Sequence, residues 1–181
     1  MSEDAYEEAL GALRNGRNAL ERSPSMTATL DEEKIRDLLL LILNGQFEGR
    51  AGGEVFNGSG KTDILIREQD RNIFIAECKF WRGHKGVVEA LDQMLSYLVW
   101  RDTKAALLLF VRQGKPTGVV LKAAAAVESH PNYKRTLRRF DEDAERMDVV
   151  MKANGDDDRE ITLALLPFML GDHAPQNLRA K

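Results

Sequence analysis

The hydrophobic pattern of the chain changes period along its length, and this change limits the folds that the chain can adopt. Up to about Gly49 the apolar residues recur at helical spacing, whereas over 54–80 they alternate with polar residues as in half-buried strands. Helical spacing returns at Val87, and an apolar run typical of a buried strand begins at Ala105. We therefore predict an α/β domain with a mixed sheet, because the helix that joins the last two strands provides a crossover.

Periodicity, caps and turn residues delimit the individual elements. The predicted helices cover 2–21, 30–43, 87–100 and 115–129, and the predicted strands cover 54–57, 62–67, 73–80, 105–111, 146–152 and 160–166. We expect the first three strands to form an antiparallel meander with turns at 58–60 and 68–72, and the last two to form a hairpin across an acidic turn at 154–159. The apolar run 38–43 should be buried nearly all round.

Length, composition and charge fit a globular domain that does not coat nucleic acid. The 181 residues include 43% hydrophobic and 30% charged residues, enough to bury a core and unlike a disordered or fibrous chain. We divide the chain into an N-terminal helix, 1–24, and a main domain, 25–181. The formal net charge of −3 argues against a strongly basic nucleic-acid coat, but a nuclease needs cations only where phosphates lie.

Cysteine content and hydropathy indicate a cytoplasmic protein without a membrane partner. Cys78 is the only cysteine, so neither an internal disulfide nor a cysteine-based zinc cluster can form within one chain. No apolar run reaches the roughly 18 residues that span a bilayer, and the acidic N-terminal segment is unlike a signal peptide.

Three charged residues are predicted to converge on the strands 62–67 and 73–80. Side chains alternate along a strand, so Glu77 and Lys79 share one face, and the turn between the strands brings Asp63 to the level of Glu77. Mg²⁺ prefers oxygen ligands and keeps several waters, so Asp63, Glu77 and the backbone carbonyl of Cys78 suit a site that also binds phosphate. Lys79 would orient the attacking water or stabilise developing negative charge, and the pattern therefore predicts phosphodiester hydrolysis.

A simpler interpretation is that Glu77 and Lys79 form a solvated ion pair on an exposed sheet face. Such pairs are common and contribute little to stability. The apolar flanks at 73–75 and 80–81 argue against this, because they are typical of a central strand, in which a charged side chain is unusual.

Asp63, followed one hairpin later by Glu77-Cys78-Lys79 and then by a helix, resembles the PD-(D/E)XK nuclease superfamily, also called restriction-endonuclease-like. The resemblance covers about 30–111, somewhat under half of the chain. It implies an α-β-β-β-α-β core and hydrolysis of DNA with Mg²⁺ or Mn²⁺, in which Asp63 and Glu77 bind the metal. Thr62 stands where the name-giving proline would be, a departure that many members share and that leaves the carboxylate role untouched.

Gln93 and Tyr97 extend the resemblance to the Gln-x-x-x-Tyr element of RecB-like members, on the helix after the catalytic strand. Four residues apart, they share one helical face. The resemblance implies that Gln93 orients the active site and that Tyr97 contacts DNA or supports the site. An exposed Gln93 with Tyr97 in the core is the alternative.

Superfamily members often bring one more acid from the helix before the meander, and Glu32 or Glu33 would fill this role. Glu32 shares the inward stripe of that helix with Ile35 and Leu39, which favours it slightly. Both acids could equally lie at the surface and stabilise the helix dipole. Glu54, on the first strand, is a third candidate.

Cations surround an aromatic ring where the chain leaves the catalytic strand, at Trp81, Arg82, His84 and Lys85. Contacts with DNA fit this cluster, although a solvated turn would have the same composition. His84 is also a candidate general base. Basic residues of the segment 133–139 would extend a DNA track, but the acids of 141–145 favour a solvated helix face there.

The sequence leaves several functions open. The favoured one is a metal-dependent endonuclease or exonuclease acting on DNA. The alternative is a catalytically inactive module of the same fold that binds nucleic acid or a protein. The chain would in either case fit a fragment of a larger sensor or defence protein. A homodimer is conceivable because many proteins of this fold dimerise, yet no coiled-coil heptads mark an interface.

Overall fold

Helices pack against both faces of a seven-stranded mixed sheet in the part of the chain that the structure, a computed structural model, describes: residues 2–58, 60–68, 71–140 and 143–171. The helices are α1 (Glu3–Glu21), α2 (Pro24–Thr27), α3 (Glu32–Gln46), α4 (His84–Tyr97) and α5 (Pro116–Glu128). The strands are β1 (Ala51–Asn57), β2 (Gly60–Glu68), β3 (Arg71–Phe80), β4 (Lys104–Val111), β5 (Tyr133–Arg138), β6 (Met147–Ala153) and β7 (Asp156–Met169). The predicted α/β class with a mixed sheet is confirmed.

The strands lie in the order β1-β2-β3-β4-β7-β6-β5. The first three form the predicted antiparallel meander, and β4 runs parallel to β3 after the crossover through α4. The predicted closing hairpin of β6 and β7 joins the sheet through β7, which pairs in parallel with β4. As a result β3 and β4 lie inside the sheet, with partners on both sides.

Two hydrophobic cores sandwich the sheet. α1 and α3 cover one face, and α4 and α5 cover the other. Tyr6 of α1 is fully buried in the first core, and its hydroxyl donates to the Ala105 carbonyl at 2.8 Å. Residues 73–78 of β3 are buried, as the apolar flanks of this strand predict. No helix in the described ranges is long and apolar enough to cross a membrane.

α3 differs from its prediction at its C-terminal end and on its outer face. Asp31 caps the helix by accepting from the Lys34 N–H at 2.9 Å. The helix continues past Asn44 to Gln46, and the side chain of Asn44 accepts from the Ala51 N–H at 2.9 Å. Leu41 is 71% exposed, so the expectation that 38–43 is buried nearly all round is wrong. The helical period turns this residue outward while its neighbours face the core.

Two C-terminal predictions are also wrong. The basic segment expected as a helix face is the edge strand β5, because the free edge of β6 supplies backbone partners. The turn between β6 and β7 contains only Asn154 and Gly155, which has a φ of 76°, and the acids after it already belong to β7. The predicted turns at 58–60 and 68–72 and the acids of 141–145 fall partly outside the described residues.

Replacing a buried leucine of α3 should destabilise the fold far more than replacing an exposed one. Leu39→Ala removes a fully buried side chain from the first core and should lower the free energy of unfolding by about 2–5 kcal/mol. Leu41→Ala, on the same helix, should change it by less than about 0.5 kcal/mol. Urea denaturation followed by circular dichroism measures both, and equal effects would contradict the orientation of α3.

Candidate functional site

The sequence-predicted acids and lysine meet where β2 and β3 separate, beside the N-terminal end of α3. The ladder between the two strands ends at the pair Ile64 and Ala76. Asp63 and Glu77 are the next residues along each strand, so both carboxylates lie beyond the last paired position. Because the two backbones no longer pair beyond this position, a side chain of one strand can bond the backbone of the other.

Asp63 is tied to the backbone of β3. Its Oδ2 accepts from the Cys78 N–H at 2.8 Å. Burial is the largest influence on this carboxyl and raises its pKa, an effect that the hydrogen bond from Cys78 opposes. The nearby charge of Glu32 raises this pKa further, whereas Arg36 and Lys79 lower it.

Glu32 brings α3 into the same site. Its Oε2 accepts from the Phe80 N–H at 2.8 Å, and its Oε1 lies 3.8 Å from Lys79 Nζ. Both side chains of this ion pair are about one-third exposed, at 34% each. Lys79 therefore has a negatively charged neighbour on a helix and points toward the acids.

Glu77 has the least favourable environment of the group. The residue is only 1% exposed, and its Oε2 has no hydrogen-bond partner within the described residues. Burial raises the pKa of Glu77 to about 8, with the charge of Asp63 as the next cause, the charge of Glu32 as a smaller one and Lys79 opposing them. The solvated ion pair considered above is therefore not what the fold contains.

Arg36 is a site residue that the sequence interpretation missed. Its side chain lines a small cavity with Glu32, Asp63 and Cys78, and its Nη1 donates to Glu54 Oε1 at 3.0 Å. The signal was present, because Arg36 follows Glu32 by four residues and so lies on the same helical face. The guanidinium offers a positive charge at the wall of an acidic cavity.

The remaining candidate acids lie at the rim. Glu33 is exposed on the first turn of α3, and Glu54 is half exposed on β1, paired with Arg36 and with Lys61 at 3.9 Å. Both line the cavity, but the contacts with the backbone of β3 are made by Glu32. The structure thus selects Glu32 over Glu33 as the acid closest to Lys79.

Gln93 and Tyr97 approach the site from α4. The Tyr97 ring packs against the backbone of Gly60, where an added Cβ would lie 2.3 Å from the ring. Burial raises the pKa of Tyr97, the charges of Glu77 and Asp63 raise it further, and a hydrogen bond with the Gln93 side chain lowers it. Both residues are half buried, so neither the exposed Gln93 nor the core Tyr97 of the alternative is found.

The candidate DNA-binding residues follow β3 and lie at the start of the crossover through α4. Trp81 is half buried against the second core, while Arg82 and Lys85 are exposed and Lys85 pairs with Glu89 at 3.3 Å. His84 contacts Ser129 through a hydrogen bond of 2.9 Å, so its ring faces the end of α5. That contact gives no support for His84 as a general base.

The oxygen donors of the site fit a divalent cation in their chemistry. Carboxylates with unsatisfied oxygens are the ligands that Mg²⁺ prefers, and a cation would relieve the unpartnered Oε2 of Glu77. No three His, Cys, Asp or Glu side chains of the described residues form a metal-binding group by themselves. Asp63 and Glu77 would thus need other ligands, and the predicted Cys78 carbonyl and waters, which Mg²⁺ retains readily, meet that need.

No model of a known protein family matches the chain, and no curated protein and no solved structure matches it either. Inference about function therefore rests on the chemistry of the site and on the order of the helices and strands.

Glu77 should make the stability of the metal-free protein fall as pH rises. Its carboxyl has a pKa of about 8 when folded and an ordinary value near 4.5 when unfolded, so the folded state holds the extra proton between these values. Stability contributed by this group is present below about pH 4.5 and is lost at up to about 1.4 kcal/mol per pH unit toward pH 8. Glu77→Gln, which stays neutral, should therefore exceed the parent in stability at pH 8 and match it near pH 4.5.

Urea denaturation in EDTA across this pH range measures the difference between the two proteins. Titrating groups that do not interact with Glu77 affect both proteins alike, so the difference reports Glu77 together with the groups coupled to it, chiefly Asp63. Parallel curves for parent and variant would contradict the buried, proton-retaining carboxyl.

Proposed function

We propose that the protein is a metal-dependent nuclease that hydrolyses phosphodiester bonds in DNA. The observation that carries the proposal is the buried carboxyl group of Glu77, which lies near Asp63 and Lys79 and has one oxygen without a hydrogen-bond partner in the part of the chain that the structure describes. A protein keeps such an unfavourable group chiefly where it has a function. A divalent cation bound beside this carboxyl group would favour its ionised form and occupy the oxygen that lacks a partner.

The order of the elements supports the proposal. α3, β1, β2, β3, α4 and β4 follow one another over 32–111, which is the α-β-β-β-α-β order implied by the resemblance to the PD-(D/E)XK superfamily. The acids and Lys79 occupy the positions in this order that the resemblance implies for the active site. A restriction-endonuclease-like domain is therefore the fold that we propose for this part of the chain.

Each residue has a separable role in this proposal. Asp63 and Glu77, with the Cys78 carbonyl, would hold Mg²⁺ or Mn²⁺. A bound divalent cation polarises the phosphate and lowers the pKa of a coordinated water. Lys79 orients the attacking water and stabilises negative charge, and Glu32 holds Lys79 and the end of β3 in place.

Residues on α4 and before it would position the substrate. Gln93 orients Tyr97 through their hydrogen bond, and Tyr97 supports the site next to Glu77. Trp81, Arg82, His84 and Lys85 surround the N-terminal end of α4, where the helix dipole favours an anion. DNA phosphates would be held at this end of the helix.

Lys79→Ala should abolish cleavage without unfolding the protein. Loss of a cation that stabilises a developing charge costs about a hundredfold or more in rate. Linear, nicked, branched and single-stranded DNA are incubated with the parent and the variant in Mg²⁺ or in EDTA. Lys122→Ala, an exposed lysine of α5, is the matched control and should cut like the parent.

If none of these DNA substrates is cleaved in a metal-dependent manner, the nuclease proposal is refuted. DNA binding without cleavage would then favour the catalytically inactive module. Cleavage by Lys79→Ala at the parent rate would instead remove Lys79 from its assigned role. Mg²⁺ should also raise the melting temperature of the parent but not that of Asp63→Asn, a readout independent of activity.

The two adjacent acids of α3 should differ in their effect on cleavage. Glu32→Gln keeps an acceptor for the Phe80 N–H but loses the charge beside Lys79, so the rate should fall roughly tenfold or more. Glu33→Gln should cut within about twofold of the parent, since its side chain is exposed and makes no such contact. Initial rates on the best substrate decide between them, and the opposite ranking would assign the role to Glu33.

A further inference from the structure

Two exposed aromatic rings each lie beside a cation. Phe56 on β1 is 70% exposed, and Trp100, in the segment after α4, is 68% exposed. Lys61 Nζ lies 5.3 Å from the centroid of the Phe56 ring, and the guanidinium carbon of Arg159 lies 5.2 Å from that of Trp100. We call these four residues the aromatic platform. At such exposure each ring keeps surface that is open to a ligand.

The two rings lie on segments that contact each other. Asn57, next to the first ring, donates from Nδ2 to the Tyr97 carbonyl at 3.0 Å. Gly58 approaches so closely that an added Cβ would lie 3.3 Å from Cγ1 of Val99, the neighbour of the second ring. Val99 is itself exposed. The segments that carry the two rings are therefore in contact at the end of β1. Phe56 projects from the opposite face of β1 to the buried Asn57, which leaves its ring exposed.

The buried carboxylate of Asp102 fixes the contact between these two segments. Asp102 is almost fully buried and accepts from the Val99 N–H at 2.9 Å and from Asn57 Nδ2 at 2.8 Å. Arg159 donates to the carbonyl of Asp102 at 2.7 Å, which also fixes the guanidinium beside the second ring. The backbone segments that carry the rings are fixed in this way, so little backbone ordering would be needed when a ligand binds.

The platform continues into the proposed active site. Lys61 precedes Asp63 by two residues on β2, so the two side chains share a face about 7 Å apart along the strand. Lys61 also contacts Glu54, which pairs with Arg36 at the wall of the acidic cavity. A nucleic-acid strand lying on the platform would therefore carry its backbone toward Asp63.

We propose that Phe56 and Trp100 stack unpaired bases, and that the substrate is single-stranded DNA. Every base has a π-face that stacks on an exposed aromatic ring, and a nearby cation adds attraction for the backbone. Paired bases in a duplex already stack on their neighbours and do not present these faces. The substrate class rests on the proposed nuclease function, but binding to the platform can be measured without cleavage.

Binding of a labelled mixed-sequence oligonucleotide, alone or annealed to its complement, tests the platform by fluorescence anisotropy. Ca²⁺ replaces Mg²⁺, and the DNA is checked for integrity afterwards. Single strands should bind the parent at least about tenfold more tightly than the duplex. Phe56→Leu and Trp100→Leu, which keep apolar surface but remove the ring, should each weaken single-strand binding about tenfold and duplex binding less than about twofold.

Controls separate stacking from a general apolar contact. Phe56→Tyr retains a ring and should bind like the parent, and so should Leu41→Ala, which removes an exposed apolar side chain from α3. A 2-aminopurine in the single strand should be quenched by the parent and less by the leucine variants. Equal affinity for single strand and duplex, or parental affinity in either leucine variant, would overturn the platform.

The outcomes distinguish this proposal from the nuclease proposal. Single-strand binding that depends on the rings, without cleavage in Mg²⁺, retains the platform and refutes the nuclease. Cleavage of duplex DNA that does not depend on the rings retains the nuclease and overturns the platform. If the leucine variants alter self-association in gel filtration and leave DNA binding unchanged, the surface is a contact between copies and the platform is overturned.

Discussion

Burial of the Glu77 carboxyl group inside the sheet is the constraint on which the rest of the site depends. Ionising a carboxyl group away from water costs several kcal/mol unless partners compensate, so this group keeps its proton up to about pH 8 in the metal-free protein. One of its oxygens has no hydrogen-bond partner within the described residues. Apolar burial around β3 offsets this cost. The strand lies between β2 and β4, and hydrophobic cores cover both faces of the sheet. A site that is unfavourable by itself thus lies on a strand inside the sheet, with a partner strand on each side.

The other acids are held by the backbone of the same strand. Asp63 accepts from the Cys78 N–H and Glu32 accepts from the Phe80 N–H, so alternate backbone donors of β3 are satisfied by carboxylates from β2 and α3. Each such bond fixes one carboxylate oxygen, and the second oxygen of Glu32 lies 3.8 Å from Lys79 Nζ. Acids fixed by main-chain donors need little reorganisation when a cation or a phosphate arrives, which is the condition for electrostatic catalysis.

Local pattern was enough to predict the meander, the crossover and the common face of Glu77 and Lys79, because alternation and helical period act over a few residues. Helical phase also favoured Glu32, which proved to be the acid next to Lys79. Strand β5 was missed because it depends on the edge of β6, which is distant in sequence. Arg36 shares a helical face with Glu32, but its contact with Glu54 across the cavity could not be predicted from local pattern. The burial of Glu77, rather than its spacing, distinguishes the site from a surface ion pair, and burial is a property of the whole sheet.

Charge distribution explains how a chain with a net charge of −3 can present a surface to nucleic acid. At the β5 edge, Lys134 and Arg135 both pair with Glu160, which lowers the pKa of that carboxyl to about 2, and Arg139 pairs with Glu128. The most basic stretch of sequence is therefore locally neutralised. Toward the opposite edge of the sheet lie the exposed Phe56 ring, Lys61 and the acids of the candidate site. A polyanion would therefore gain more there, once a metal ion offsets the acids, than at β5.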